Sequence, residues 1–421
     1  MTNVSRAFKN KNYRLYFLFQ LFSFTGTWMQ ATAQSWLVYR LTGSALFLGA
    51  TSFAGSIPAL FLAPMAGVVA DRFKRKHILI ATQSLCFIHG ILIVTLYFTG
   101  LLTEWHILFL AIFLGLANSF DMTARQSFTP LLVPKEDLTN AIALNSSMFN
   151  AARMLGPAIA GFLIAAYDEG ICFTVNVISY IPIILFLIWV EARTQIIKKS
   201  ASVLSHLKEG VHFAFKHSPI VTLLMMVGTF SFWGASFTTL LPIFSDQVLH
   251  SGVSGLGILT GASGVGAVSG GIFLASRQKV IGIKKIIAVA AVVNSMAIAS
   301  FSFSKDFAIS CALLVVAGFC FILIFAGSNT LLQALSPDNL RGRVISLFST
   351  MLMGMYPLGS LSVGYLAQHL GVSKAVLIGA AFCFFAGVYF NLRVPALTRD
   401  AKGLLEVQKQ IEGGIIPTRN V

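Results

Sequence analysis

Residues 67–76 read Gly-Val-Val-Ala-Asp-Arg-Phe-Lys-Arg-Lys and join two long apolar runs, residues 46–70 and 77–100. Each run is long enough to cross a bilayer as a helix, which needs about 20 apolar residues at a rise of about 1.5 Å per residue. A short basic connection between two such runs is typical of a loop on the cytoplasmic side of a membrane protein. The stretch therefore predicts a helical hairpin whose loop faces the cytoplasm.

The apolar character of these runs extends through the whole chain. Of the 421 residues, 56% are hydrophobic and only 11% are charged, whereas a soluble protein carries about 25% charged residues. The mean hydropathy is +0.80. This composition excludes a cytosolic enzyme, a disordered protein and a nucleic-acid-binding module. We predict an all-α integral membrane protein with roughly twelve transmembrane helices. The predicted segments are 15–37, 46–70, 77–100, 105–127, 139–166, 170–190, 219–244, 254–275, 283–304, 306–333, 343–368 and 372–393.

The distribution of charge predicts the orientation of these helices. The net charge is +15, from 30 Lys and Arg residues against 15 Asp and Glu residues. If the N-terminus lies in the cytoplasm and the chain alternates sides, only Arg40, Lys305 and Lys374 fall outside, and Arg153 falls in mid-membrane. Such an excess of cations on one side is the positive-inside rule. We therefore expect both termini in the cytoplasm, and the basic excess does not indicate a nucleic-acid partner.

The two halves of the chain repeat each other. Phe-Ser-Phe-Thr-Gly at 22–26 recurs as Phe-Ser-Phe-Trp-Gly at 230–234, which is 208 residues later. Six segments precede the longest internal loop and six follow it, so the repeat predicts two pseudo-symmetric six-helix bundles. At an offset of 203 residues, the matching pairs are Gly115 with Gly318, Pro134 with Pro337, Gly156 with Gly359, and Gly161 with Gly364.

This repeat also predicts the domain boundaries. We place the first bundle at 1–190, a cytoplasmic linker at 191–218, the second bundle at 219–393 and a cytoplasmic tail at 394–421. Apolar residues recur at helical spacing among the Lys and His residues of the linker, which favours an amphipathic helix on the membrane surface; a solvated linker is the alternative. Two such bundles move solutes by rocking about a site near the membrane midplane. The architecture therefore favours a transporter over a channel or a membrane-embedded enzyme.

Residues 67–76 also resemble the signature of the major facilitator superfamily, Gly-x-x-x-Asp-Arg-x-x-Arg-Lys. Lys74 stands where the family often has Gly, and the equivalent loop of the second half, 276–285, keeps only scattered cations. In that family the segment latches the two halves together in the outward-facing state. The resemblance implies this latch role for Gly67, Asp71, Arg72 and Arg75.

Other stretches are similar to the branch of this superfamily that contains siderophore (enterobactin-type), macrolide and other drug exporters. The resemblance extends over nearly the whole chain and implies an exporter, while it leaves the substrate open. The stretches are Gly-Thr-Trp-Met at 26–29, Trp-Leu-Val-Tyr at 36–39, Leu-Thr-Gly-Ser at 41–44, Thr-Ala-Arg-Gln at 123–126, Leu-Asn-Ser-Ser at 144–147 and Leu-Gly-Pro-Ala at 155–158.

Gly156, Pro157 and Gly161 resemble part of the antiporter motif that the superfamily carries in its fifth helix, Gly-x-x-x-Gly-Pro-x-x-Gly-Gly. The match is partial, since Ala152 replaces the leading Gly and Ala160 replaces one of the final pair. Proline strains a helix and glycine permits close packing. The resemblance supports a role in exchange, and a kink that serves packing alone is the alternative.

Three ionisable residues lie within predicted membrane segments. Asp121 and Arg125 stand four residues apart, on one face of a helix, and can pair; Arg153 lies near the middle of the fifth segment, where a cation is costly and marks a functional site by default. At the offset of 203 residues their mates are Ile324, Ser328 and Tyr356. Because only one half carries these charges, we interpret all three as coupling or substrate groups. Structural pairing, including a contact with the 67–76 loop, is the alternative.

Polar residues at helical spacing predict the substrate cavity. One such stripe runs along the first segment and others along the fourth, fifth and seventh. A site of this kind suits an amphipathic, aromatic or partly anionic solute, whereas hydrogen bonding that only joins helices is the alternative for each residue. The candidates are Gln30, Gln34, Asn118, Asn150, Trp233 and Tyr356.

Other signals do not point to chemistry. The glycine-rich stretch 261–266 lies inside an apolar segment with no strand before it, which favours helix packing over phosphate binding. No Cys/His cluster has metal-ligand spacing, and the five cysteines fall in apolar stretches. His89 is the one histidine well inside a segment, and we interpret it as a packing or hydrogen-bonding residue. We expect no catalytic residue, no metal and no cofactor.

Together these features predict a secondary transporter in the inner (plasma) membrane of a bacterium. We expect a monomer that exports a small amphipathic compound, a siderophore or a drug, in exchange for protons. Asp121 is the candidate proton carrier, since a carboxylate among apolar groups takes up a proton more readily. The alternative is a lysophospholipid flippase with the same fold and a lateral entry for acyl chains.

Overall fold

A computed structural model describes residues 3–191, 211–277 and 282–412 of the chain. Its described residues form twelve long helices and no strand, which confirms the predicted fold class. The helices of the first half are α1 (Lys11–Thr42), α2 (Ala45–Arg72), α3 (Arg75–Phe98), α4 (Glu104–Phe128), α5 (Leu138–Ala166) and α6 (Glu169–Trp189). Those of the second half are α7 (Ser218–Val248), α8 (Gly252–Ala275), α9 (Ile283–Phe303), α10 (Phe307–Leu335), α11 (Asp338–Leu370) and α12 (Val372–Glu412).

Eleven of these helices, α2 to α12, are long and apolar enough to cross a membrane. Helix α1 has 32 residues, which is sufficient length, but polar side chains such as Gln20 and Gln30 lower its hydropathy. Both glutamines are buried inside the protein, where α1 packs alongside α5 and α6. A helix whose polar residues face other helices can cross the bilayer without exposing them to lipid.

Short polar side chains start several helices. Asn10 caps α1 by accepting from the backbone N–H groups of Asn12 and Tyr13. Ser44, Thr103, Asp168 and Asp306 cap α2, α4, α6 and α10 in the same way. An N-cap side chain satisfies a backbone donor that the first turn of a helix leaves unpaired. The starts of α2, α4, α6 and α10 lie together at one end of the molecule, which we call the distal end. The opposite end contains the start of α1 at Lys11, and we call it the terminal end.

Helix packing follows the sequence repeat. In the first bundle, α4 packs on α2 and α3, while α6 packs on α1 and α3. In the second bundle, α10 packs on α8 and α9, while α12 packs on α7 and α9. The bundles meet along two seams, α2 with α11 and α5 with α8. Since α8 repeats α2 and α11 repeats α5, the two seams are copies of each other, as expected for pseudo-symmetric bundles.

Glycines bring the helix backbones together at both seams near the distal end. A Cβ atom on Gly161 would lie 2.9 Å from the carbonyl oxygen of Val253 and 3.0 Å from the Cα of Gly257. At the other seam, a Cβ on Gly364 would lie 2.7 Å from the carbonyl oxygen of Ala45. Gly161 and Gly364 are therefore equivalent in position as well as in sequence. Small residues allow such close helix contacts in membranes.

Side chains also join the bundles at the distal end. The Tyr39 hydroxyl on α1 donates to Asp246 Oδ2 on α7 at 2.6 Å. Ser44 Oγ donates to Gln368 Oε1 at 3.0 Å. These bonds and the glycine contacts hold the distal end closed.

Helix α7 is irregular where α1 is regular. It continues from an α-helical segment, Ser218–Thr229, into a π-helical turn, Phe230–Ala235, and then a 3-10 turn, Ser236–Leu240. The Ser236 hydroxyl donates to the carbonyl oxygens of Ser231 and of Tyr356 on α11, at 3.2 and 3.1 Å. The first bond satisfies a carbonyl group within the altered turn, and the second joins that turn to α11.

The predicted linker lies largely outside the described residues, as does the end of the predicted tail, 413–421. Residues 211–216, at the end of the linker, are helical, while 192–210 are not described. Helix α12 continues to Glu412, and its apolar part is Val372–Ala396.

Candidate functional site

The carboxylate of Asp121 lies buried between α3 and α4, with 4% of the residue exposed. Its Oδ1 accepts hydrogen bonds from Thr82 Oγ1 at 2.8 Å and from Gln83 Nε2 at 2.7 Å. Its Oδ2 accepts from Arg125 Nε at 2.9 Å and also from Arg125 Nη2. An ionised carboxylate has about four acceptor sites, so the four donors occupy all of them. A proton can reach this carboxylate only by displacing one of these donors.

Arg125 connects the carboxylate to a third helix. Its guanidinium carbon lies 4.6 Å from the ring centroid of Phe24 on α1, a cation–π arrangement. Its Nη1 is buried without a hydrogen-bond partner in the described residues. The Asp121–Arg125 pair thus contacts α1 as well as α3. Loss of the carboxylate charge would weaken the hold of Asp121 on Arg125 and so change the contact of Arg125 with Phe24 of α1.

The latch candidates lie at the terminal end, where α2 passes into α3. Arg75 Nη1 donates to the carbonyl oxygen of Ser127 at 2.9 Å, which ties the start of α3 to the end of α4. Arg72 is exposed, and a Cβ on Gly67 would meet no atom within 4 Å. The side chain of Asp71 lies outside the described part of the structure. Of the latch candidates, Arg75 therefore makes a hydrogen bond to α4, the helix that carries Asp121.

Arg153 on α5 lies at the interface between the bundles. Its guanidinium carbon is 5.8 Å from the ring centroid of Trp28 on α1. The hydroxyl of Tyr356, on α11 of the other bundle, lies within electrostatic range of this cation. Ser52 on α2 donates to the Tyr356 hydroxyl at 3.3 Å. A cation, two aromatic rings and a hydroxyl from four helices therefore surround one position between the bundles.

The residues that resemble the antiporter motif lie where α5 packs on α1 of its own bundle and on α8 of the other. A Cβ on Gly156 would lie 2.5 Å from the Cβ of Trp28 on α1. A Cβ on Gly257 of α8 would lie 2.6 Å from the carbonyl oxygen of Pro157. With Gly161, which contacts α8 as well, the motif allows α5 to pack closely on both sides. This geometry fits the packing alternative and leaves a role in exchange as a prediction.

Gln30 faces the interior of the first bundle. The residue is 3% exposed, its Oε1 accepts from Asn176 Nδ2 on α6 at 2.6 Å, and its Nε2 lies 3.5 Å from His89 Nδ1 on α3. These partners all belong to the same bundle. These contacts favour the alternative for Gln30, a hydrogen bond that only joins helices, over the predicted role in lining the substrate cavity.

The other cavity candidates are not gathered in one place. Trp233 stacks on Phe382 of α12, with ring centroids 4.9 Å apart and planes 4° apart. Asn118 is exposed on α4. Asn150 is half-buried and donates to the backbone of its own helix, and Gln34 is half-buried on α1. Of the six candidates, Tyr356 is the one that the described structure places on the opposite bundle within electrostatic range of Arg153.

Three polar residues at these sites, Thr82, Gln83 and Asn176, were not among the residues singled out from the sequence. Thr82, Gln83 and His89 lie at i, i+1 and i+7 of α3, a helical spacing that predicts one polar face. His89 was interpreted as a packing or hydrogen-bonding residue, which agrees with its contact to Gln30. Asn176 on α6 gave no signal of its own, because a single Asn in an apolar segment has no periodicity.

Comparison with known proteins agrees with this architecture. A family described as transmembrane secretion effector matches residues 4–412. The staphyloferrin A transporter of Staphylococcus aureus is 26% identical over 367 residues, which cover 84% of this chain and 89% of that protein. Macrolide efflux protein A of Streptococcus pyogenes is 22% identical over 347 residues, which cover 80% and 84%. The nucleoside transporter NupG has the same fold, with a TM-score of 0.71 at 14% identity over 90% of this chain and 98% of that one.

Proposed function

Because this chain belongs to the transmembrane secretion effector family of the major facilitator superfamily, we propose that it exports a small amphipathic compound in exchange for protons. The family and fold are those of multi-pass membrane transporters. The relatives named for a siderophore and for macrolides favour those two substrate classes. The observation that carries the proposal is the buried Asp121–Arg125 pair, which has no charged counterpart in the second bundle.

Two symmetric bundles with equal structural needs would not require charge in only one of them. Asp121 and Arg125 correspond to Ile324 and Ser328, which are both buried in the second bundle. The second bundle therefore packs without an ion pair at this position. A buried ion pair that packing does not require is costly and is best explained by a functional role.

Proton exchange at Asp121 would act through Arg125. A proton on the carboxylate removes its charge and displaces a donor, since four donors already occupy its acceptor sites. The Arg125 guanidinium is the donor whose attraction depends on that charge. Freed from Asp121, it would still stack on Phe24 of α1. The proton would thus change how α4 is held against α1.

The substrate would contact Arg153. Its cation, the rings of Trp28 and Tyr356, and the Ser52 hydroxyl suit an aromatic or partly anionic compound. A siderophore carries anionic metal-binding groups, and this favours it over a cationic drug. The closed distal end fits a state that is open toward the terminal end, which we place in the cytoplasm of a bacterium, with the transporter in its plasma membrane as a monomer.

Proteoliposomes test the coupling directly. The purified protein is reconstituted with a pH-sensitive dye inside, and a carboxylate siderophore, a catecholate siderophore and a macrolide are added in turn under an imposed proton gradient. The wild-type protein should move protons in response to one of these classes, and Asp121→Asn should abolish the response. Asp306→Asn is the matched control, because Asp306 caps α10 at the distal end. Full proton-coupled transport by Asp121→Asn would exclude Asp121 as the carrier.

A further inference from the structure

A groove runs along the outer surface of the second bundle. Helices α8 and α9 both pack on α10, and the groove lies between them with α10 as its floor. Its volume is about 520 Å³. The wall residues are almost all apolar, among them Phe273, Val289, Val293 and Val316, and the polar members are Ser269 and Lys285.

The open side of the groove faces away from the protein. Val289 is 59% exposed and Val316 is 40% exposed, although both line the groove. In a chain that spans a membrane, an apolar surface of this kind borders lipid acyl chains. Along its length the groove is open to lipid and not to either aqueous phase. The occupant must therefore come from the membrane.

Two cations stand where the groove reaches the terminal end. Lys285, in the first turn of α9, lines the groove and is exposed. Arg277 follows the end of α8, and its guanidinium carbon lies 4.8 Å from the ring centroid of Phe273, another residue of the groove. Both cations thus belong to the same mouth. The Ser269 hydroxyl donates to carbonyl oxygens of its own helix, so its proton is not available to a ligand in the groove.

The groove has the depth of one membrane leaflet. On α9 it extends from Lys285 to Val293, and eight residues of helix rise about 12 Å. Half of a hydrocarbon core about 30 Å thick measures about 15 Å. An acyl chain whose headgroup lies at the level of Lys285 would therefore fill the groove to about the middle of the bilayer.

We propose that this groove is a binding site for an anionic phospholipid, one acyl chain lying between α8 and α9 and the phosphate contacting Lys285 and Arg277. The two cations favour a net negative headgroup over a zwitterionic one. The lipid would be a bound constituent of the second bundle rather than the cargo. It would fill the gap that α8 and α9 leave over α10 and so hold three helices together. This proposal does not depend on the identity of the exported compound.

Native mass spectrometry of the full-length protein tests the site. The detergent-solubilised protein is titrated with phosphatidylglycerol and, separately, with phosphatidylcholine of the same acyl chains. The wild-type protein should retain phosphatidylglycerol more tightly than phosphatidylcholine. Lys285→Gln and Arg277→Gln should each weaken retention of phosphatidylglycerol about fivefold, and Lys285→Arg should restore it. Val289→Trp should block retention while it leaves both cations in place.

Two control variants separate this site from general lipid contact. Lys374→Gln removes an exposed cation at the distal end, and Met296→Trp places a tryptophan at an exposed position of α9 that does not line the groove. Neither should change retention of phosphatidylglycerol. Equal retention of the two lipids, or no effect of Lys285→Gln, would overturn the headgroup assignment, and no effect of Val289→Trp would overturn the groove. Displacement of the lipid by millimolar inorganic phosphate would show that the cations bind phosphate without the acyl chain, which also overturns the proposal.

Discussion

Arg153 and Tyr356 occupy equivalent positions in the two halves of the chain, and each lies within electrostatic range of the other across the interface between the bundles. They are 203 residues apart in sequence, the offset that also relates Gly161 to Gly364. Tyr356 hydrogen bonds Ser52 of the opposite bundle, and Arg153 stacks on Trp28 of its own. The approximate twofold axis thus relates a cation to a phenol. The position between the bundles is symmetric in geometry and asymmetric in chemistry.

Replacement of Arg153 should remove the charge that we assign to substrate contact. Arg153→Ala should reduce transport at least tenfold, and Arg153→Lys should retain part of it, because an ammonium keeps the charge without the planar group that stacks on Trp28. Transport is measured as substrate-dependent flux in proteoliposomes. Arg393→Ala, which removes a cation stacked on Tyr389 of α12, is the control and should transport normally. Undiminished flux in Arg153→Ala would remove Arg153 from the mechanism.

Variants of the Asp121–Arg125 pair should separate its contribution to stability from its contribution to transport. Arg125→Gln leaves a buried carboxylate without its counter-ion, and we expect a loss of about 3–5 kcal/mol in the free energy of unfolding. Asp121→Asn combined with Arg125→Gln should recover most of that loss but not proton-coupled transport. Thermal unfolding in detergent measures the first quantity. Arg6→Gln removes a side chain that is 54% exposed where it pairs with Asp137, and it should change stability by less than about 1 kcal/mol. Transport restored by the double variant would assign the pair a structural role.

Closure of the distal end should require glycine at the two seams, because a larger residue there would clash with the opposite helix. Gly161→Ala places a methyl group 2.9 Å from the carbonyl oxygen of Val253, and Gly364→Ala places one 2.7 Å from that of Ala45. Both should push the bundles apart at this end. Spin labels at Leu41 and Leu370, in a variant without the five cysteines, would report a longer distance in pulsed electron paramagnetic resonance.

Gly271→Ala is the control for this test, because a Cβ there meets no atom within 4 Å. Alanine is a better helix former than glycine, so this variant should leave the distance unchanged and the protein slightly more stable. An unchanged distance in both Gly161→Ala and Gly364→Ala would contradict the close contact of the seams.

The hydroxyl of Tyr39 should contribute to the same closure. Tyr39→Phe deletes a 2.6 Å hydrogen bond to Asp246, and a hydrogen bond to a charged group contributes about 1.5–3 kcal/mol. The equilibrium between closed and open distal ends should shift toward the open form by about tenfold or more, as read from the populations of the two distances between the same spin labels. Tyr365→Phe, at an exposed ring on α11, should have no effect. If Tyr39→Phe and the wild type had the same ratio of closed to open distal ends, the bond would not be what holds this end closed.

Cysteine labelling in intact cells tests the predicted orientation. In a variant without native cysteines, Lys305→Cys and Lys374→Cys should react with an impermeant maleimide added outside, because both lie at the distal end. Lys216→Cys, at the terminal end, should react only after the membrane is permeabilised. The reverse pattern would place both termini outside and would invert the direction of transport that we propose.

Much of the fold was predictable because the bilayer restricts the choice. Uninterrupted apolar runs of about 20 residues cross a bilayer as helices, and the matched glycines imply that the halves pack alike. The Asp121–Arg125 pair was predictable for a local reason, since residues four apart share a helix face whatever surrounds them. The equivalence of Arg153 and Tyr356 followed from the repeat, although their proximity required the structure.

The cavity residues were less predictable. A polar stripe on a membrane helix faces either a cavity or another helix, and the sequence of α1 does not say which. Gln30 faces α6 because Asn176 happens to lie opposite it. Trp233 was placed by assuming regular α-helical geometry, but it lies within the π-helical turn Phe230–Ala235. Such a turn rotates the residues that follow relative to a regular helix, and no motif in the sequence announced it.

The bond between Ser44 and Gln368 joins residues 324 positions apart, and this separation has a consequence for biosynthesis. During translation α2 is made long before α11, which is its partner across the seam. Until then the surface of α2 that carries Ser44 and Ser52 must contact lipid or the insertion machinery instead of its final neighbour. The α5–α8 seam can form once α8 is in the membrane, whereas the α2–α11 seam has to wait until synthesis is nearly complete. The first bundle therefore has to persist in the membrane for most of synthesis without this partner.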